Sequence, residues 1–120
     1  MDASRRRRLN VEDIGDVTVV NFVDRKILDE QNIQIIGEQL FNLVDELNRK
    51  KIVLSFHNVE YFSASGLGKL LTLHSKLSKI GGQLVFCSMI SEIFETFEIT
   101  KLYKLFTIVK DEQRALQAFV

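Results

Sequence analysis

The chain has 120 residues, 46% of them hydrophobic and 27% charged, and its 16 basic and 16 acidic side chains cancel. That length suits one domain with a core of its own, and the balanced charge offers no basic field for nucleic acid. A single cysteine excludes a disulfide framework and a cysteine-rich metal site.

Residues 1–8 end in the run Arg5 to Arg8 and read as a basic, flexible tail, leaving 9–120 as the single domain. No apolar run approaches the roughly 20 residues of a membrane span, and the N-terminus lacks the apolar stretch of a secretory leader. A cytoplasmic protein is expected. Leu9–Gly15 and Asp16–Val23 are rich in β-branched residues and meet at the turn signal Gly15-Asp16, which predicts a strand hairpin. From Asp29 the period changes. Ile33, Ile36, Leu40, Val44 and Leu47 fall on one helix face, with Asp29 as N-cap and the basic "NRKK" run as the last turn. Lys51–Phe56 is a short apolar run, expected as a strand buried on both faces. "EYFSASGLGKLL" (60–71) leads from that strand into a helix carrying Leu67, Leu70, Leu71, His74 and Leu77, which ends at Gly81-Gly82. "QLVFCSM" predicts another buried strand, with Cys87 as a small buried hydrophobe. "SEIFETFEITKLY" predicts a helix capped by Ser91, "LFTIV" a short strand, and "DEQRALQAFV" a last helix capped by Asp111.

Strand–helix alternation with short connections implies an α/β fold with a largely parallel sheet covered by helices. In such sheets sites lie at the carboxyl ends of strands, where the next helix starts. The 60–71 stretch holds that position.

Its residues exclude two chemistries. A P-loop needs Gly, four residues, then Gly-Lys and a hydroxyl residue; here Leu70 follows Lys69, and Ser63 stands five places before Gly68. A nucleophile elbow needs glycine two residues either side of the serine, and around Ser65 those places hold Ser63 and Leu67. A hydrolase would require His57 or His74 as base to Ser65; His74 falls among the leucines of its helix. Two readings stay open. Ser65 caps the helix, with Gly66 and Gly68 fitting a crowded turn. Alternatively, the helix N-terminus carries a phosphorylation switch, where unpaired N–H groups and the positive dipole end tolerate a phosphate.

"IVLSFHNVEYFSASGLGKLL" resembles the signature of STAS domains of the bacterial anti-sigma factor antagonist family: a buried strand, a short loop, then Asp-Ser-Ser-Gly-Leu-Gly opening a helix. The segment from Gly81 to Phe119 resembles the family's closing strand–helix–strand–helix pattern. The resemblance implies a mixed, mostly parallel sheet of about five strands with four helices, no catalytic activity, no cofactor and no metal. It further implies a partner, an anti-sigma factor with serine kinase activity, whose capture frees a sigma factor. That kinase phosphorylates the first serine of Asp-Ser-Ser-Gly, and a phosphatase reverses it.

By this alignment the acceptor position is Ala64, flanked by Ser63 and Ser65, while Gly66, Leu67 and Gly68 match. Ala64 has no oxygen to phosphorylate. Three accounts stand: an engineered change from serine, a natural protein held permanently unphosphorylated, or use of Ser63 or Ser65 as acceptor. The expected partner-binding residues are Tyr61, Phe62, Ser63, Ala64, Ser65, Gly66, Gly68 and Lys69. Phe62 is either tucked against the sheet or offered as an anchor, Lys69 points away from the leucines, and the glycines admit a partner's backbone. The alternative function within the same fold is an accessory subunit of an ABC-type transporter, independent of phosphorylation.

Overall fold

The apolar runs and helical periods of the sequence become eleven strands and α-helices in the computed structural model, which describes residues 7–119. In chain order these are β1 (Leu9–Ile14), β2 (Val17–Phe22), β3 (Lys26–Ile27), α1 (Glu30–Asp45), β4 (Lys51–Ser55), β5 (Tyr61–Phe62), α2 (Ala64–Lys79), β6 (Gln83–Cys87), α3 (Ser91–Ile99), β7 (Thr107–Val109) and α4 (Glu112–Gln117). A single 3-10 turn, Leu102–Lys104, precedes β7. The main sheet runs β1-β2-β4-β6-β7; only the β1/β2 hairpin is antiparallel.

Alternation along the central strands divides the core in two. Val20, Phe22, Ile52, Leu54, Leu84 and Phe86 face α1, α2 and α3 in one cluster; Val17, Val19, Val53, Val85 and Cys87 face Ala115 of α4 in the other. Both faces of β4 and β6 are therefore covered, which is why those strands read as continuous apolar runs. Burial pushes the Cys87 thiol pKa up, and thiolate is the reactive form. Native protein at pH 8 should resist alkylation by iodoacetamide while denatured protein is labelled, as intact-mass measurement would show.

Several local expectations are corrected. Helix α1 stops at Asp45 because the chain turns through Asn48 (φ 54°), where the Arg49 N–H donates to Leu43 O at 2.9 Å. Leu47 is consequently outside the helix and 51% exposed. The "NRKK" run forms no helical last turn; its Arg49 and Lys51 pair with Asp13 and Asp16 of the hairpin instead. Ser91 is the first residue of α3, not its cap; Ile90 holds the cap position and makes no side-chain capping bond. The helix also ends at Ile99, short of the predicted Tyr103. Asp29 and Asp111 do cap α1 and α4, accepting from Gln31 N at 2.7 Å and Arg114 N at 2.9 Å.

Residues 1–6 of the basic segment lie outside the described residues. Arg8 is docked: its carbonyl accepts from Val23 N (3.0 Å), its N–H donates to Gln39 Oε1 (3.0 Å), and its guanidinium reaches Asp24 at 3.0 Å. Arg8→Ala should cost about 1 kcal/mol, because the ion pair is only about one-fifth exposed on either side. A denaturation midpoint identical to that of the unmodified chain would show the pair to be neutral.

Candidate functional site

Strand β5 exists only through its partner. Tyr61–Phe62 pairs in parallel with Lys26–Ile27, and the ladder continues through Ser63 N–H to Ile27 O at 3.0 Å. This small sheet sets where α2 begins. Ser63 sits extended at the cap (φ −83°, ψ 165°), its Oγ accepting from Gly66 N at 3.4 Å and its carbonyl from Gly66 N and Leu67 N at 3.0 and 3.3 Å. The cap is thus Ser63 rather than Ser65. Ser65 is the second residue of the helix and is exposed.

Ala64, the first helical residue, is also exposed, and the first turn of α2 contains no acidic side chain. The first N–H groups of a helix have no intrahelical acceptor, so this end suits an anion. Tyr61 is 53% exposed beside the same corner, with the Lys26 ammonium 5.6 Å from its ring centroid. Arg25 and Glu60 form an exposed ion pair at 2.8 Å.

The two glycines play opposite parts. Gly66 is buried, and a Cβ there would lie 2.6 Å from the Phe62 ring. It admits the protein's own aromatic, not a partner's backbone. Gly68 is exposed, with nothing within 4 Å of where its Cβ would be. Of the two alternatives for Phe62, the structure shows the tucked one: its ring packs edge-on against Phe22 (5.9 Å) and Phe56 (5.5 Å). The Lys69 side chain is laid over α1, where a Cβ on Gly37 would meet its Cδ at 2.8 Å. Half-buried, it does not stand out toward solvent as expected.

Hydrolase geometry is missing. His74 lies nine residues along α2 from Ser65, about 13 Å of helix rise, and its ring packs edge-on against Phe106 at 5.4 Å. Among the described residues no imidazole is hydrogen-bonded to Ser65, and no group of three or more His, Cys, Asp or Glu side chains is arranged to hold a metal ion. No helix among them is long and apolar enough to cross a membrane.

Beside this corner is a groove of about 400 Å³ lined by Glu60, Tyr61, Phe62, Ile90, Glu92, Ile93 and Thr96. The sequence reading missed its α3 wall. The rule that singled out the carboxyl end of β4 applies equally to β6, whose carboxyl end leads to Ile90 and Glu92.

Known proteins are similar to this chain in sequence and in fold. The curated relatives include BtrV of Bordetella bronchiseptica, described as a candidate anti-sigma factor antagonist, 26% identical over 78% of this chain and 79% of its own. The anti-sigma F factor antagonist of Paenibacillus polymyxa is 25% identical over 74% of this chain and 76% of its own. Among solved structures, a candidate antagonist from Thermotoga maritima superposes with a TM-score of 0.83 at 18% identity, covering 98% and 97% of the two chains. The Bacillus cell fate determinant SpoIIAA, in its phosphorylated form, gives 0.70 at 15% identity over 93% and 99%. These structures share the fold: a five-stranded mixed sheet and four helices. The family model for the STAS domain matches residues 8–115, nearly the whole length, and the chain belongs to the STAS domain family.

Proposed function

We propose that the chain is an anti-sigma factor antagonist that binds an anti-sigma factor with serine kinase activity and so frees a sigma factor. It acts by binding and performs no catalysis, in the cytoplasm where transcription is controlled. The observation that carries this reading is the exposure of Ala64 at the first turn of α2, on the corner that the resemblance assigns to the kinase. Tyr61, Ser65 and Gly68 are exposed around it and supply the contact surface; Phe62, Gly66, Ser63 and Lys69 hold that surface in shape. With alanine at the acceptor position, binding is not switched off by phosphate, and a phosphatase has a role only if Ser63 or Ser65 is the acceptor instead.

The absent hydroxyl also favours a second reading, a phosphorylation-independent accessory subunit of an ABC-type transporter. Affinity capture from the native host separates the two. Recovery of a kinase-fold anti-sigma factor, followed by reconstitution with purified components, supports the antagonist; recovery of an ATPase with its permease replaces it with the transport role.

A further inference from the structure

We propose that the groove between Tyr61 and α3 docks a basic, amphipathic segment of the protein partner, with one arginine or lysine read by Glu92. The partner's identity rests on the function proposed above; the chemistry of the groove does not.

The groove is continuous with the Ala64 corner, since Tyr61 and Phe62 form its near wall and lead directly into Ser63. Its far wall is set by Ser88, a non-glycine residue at φ 62°, whose N–H donates to Lys110 O as the chain leaves β6 for α3. That turn brings Ile90 to the cap of α3. An aliphatic residue there costs roughly 1 kcal/mol against a serine or aspartate cap, and Ile90 is 40% exposed all the same. Part of its apolar surface therefore remains open on the groove wall.

Charge identifies the occupant. Helix α3 carries Glu92, Glu95 and Glu98 and no basic residue. None of the three is ion-paired among the described residues; Glu12, Glu30, Glu46 and Glu112 are unpaired too, but none of those lines the groove. Across the groove, Arg25 already neutralises Glu60 and Lys26 already covers Tyr61. The uncompensated carboxylate facing the groove is Glu92. A long basic side chain suits it: methylenes against Ile90, Ile93 and Phe62, cationic head at Glu92. Glu92, Thr96 and Ile99 share one helix face over about 10 Å of rise. Ile99, 73% exposed, is the apolar end of that face. A segment with a basic residue followed by an apolar one about two turns away fits this face.

The test uses a 12-residue helical peptide of arginine and leucine, a glutamate-for-arginine control peptide, and amide chemical shifts of the labelled chain at low salt. Shifts should concentrate at Tyr61, Ile90, Ile93 and Thr96. Glu92→Lys should weaken the peptide by about tenfold, whereas Glu95→Lys, equal in charge but off the groove, should change it by less than about threefold. No binding, shifts spread over the whole surface, or equal losses in the two variants would overturn the groove. Both replaced residues are exposed, and unchanged amide spectra elsewhere establish that the variants fold. The same variants are then titrated with a purified anti-sigma factor kinase that the unmodified chain has been shown to bind. If it binds Glu92→Lys unchanged, the docking role fails and the antagonist function survives. If the unmodified chain binds no such kinase, that function fails and the peptide result decides the groove alone.

Discussion

Incubated with ATP and an anti-sigma kinase of the kind proposed as its partner, the unmodified chain should acquire little or no phosphate, and Ala64→Ser should be labelled to about one phosphate per chain. The expectation follows from where three neighbouring side chains stand. Ala64 is exposed at the first position of α2, so a hydroxyl placed there is accessible, and the resulting phosphate faces the positive end of the helix. The Ser63 hydroxyl is half-buried and turned inward to accept from Gly66 N. Ser65 is exposed but rotated by about 100° and raised by about 1.5 Å along the helix. Phosphoryl transfer depends on alignment, and a displacement of about 1 Å costs on the order of a hundredfold in rate. Ala64→Asp should weaken the kinase complex by roughly tenfold, about 1.4 kcal/mol, since it supplies one of the approximately two charges of a phosphate. Mass spectrometry of the reaction decides: prompt, stoichiometric phosphate on Ser65 or Ser63 of the unmodified chain would move the switch to that residue.

Gly66→Ala should unfold the domain more readily, and Gly68→Ala should not, although both glycines stand in the first turns of one helix. At Gly66 the new methyl would lie 2.6 Å from a ring carbon of Phe62, a contact that real Cβ atoms do not make. Phe62 would have to leave its place against Phe22 and Phe56, which puts overpacking in the upper part of the usual range of about 1–3 kcal/mol. That outweighs the roughly 1 kcal/mol that alanine offers over glycine within a helix, for a net loss of about 1–2 kcal/mol. For a domain of this size that is a fall of several degrees up to about 10 °C in melting temperature. At Gly68 the same methyl meets nothing, and stability should rise by about 0.5–1 kcal/mol. Gly68→Leu should fold normally and obstruct the partner, so binding and folding separate at this position. Scanning calorimetry and a binding titration on the four proteins check both halves; a Gly66→Ala variant as stable as the parent would mean that Phe62 is free to move.

How much of this was legible depended on how far each feature reaches in sequence. The β4 and β6 strands were read correctly because burial on both faces writes itself as an unbroken apolar run. The α2 period placed Leu67, Leu70 and Leu77 rightly but took exposed Leu71 for the buried face and passed over Leu73. Strands of two residues have no period. Lys26–Ile27 and Tyr61–Phe62 become strands only by meeting each other across 35 residues of chain. Helix ends were misplaced for a related reason: whether Ser63 or Ser65 caps α2 is decided by the Ile27 carbonyl that holds Ser63 extended, and no spacing rule contains that carbonyl. The candidate site was inferred from the strand-end rule and the family signature, yet the signature treats Gly66 and Gly68 alike. Only the Phe62 ring tells them apart.

That ring is one end of an aromatic chain. Phe62 leans on Phe56, and Phe56 in turn touches Phe22, Phe86 and Phe97, with Phe106 and His74 beyond. The corner that carries Ala64 is therefore anchored to the centre of the core before any partner arrives. Association then resembles the meeting of two finished surfaces, without an ordering step that must precede contact. Encounter rates of such surfaces vary little, in the ordinary range of about 10⁵–10⁷ M⁻¹s⁻¹, and differences among variants of the corner will be felt in how long the complex lasts. If the proposed antagonist role holds and Ala64 leaves the complex without a phosphate switch, residence time is the quantity left to tune.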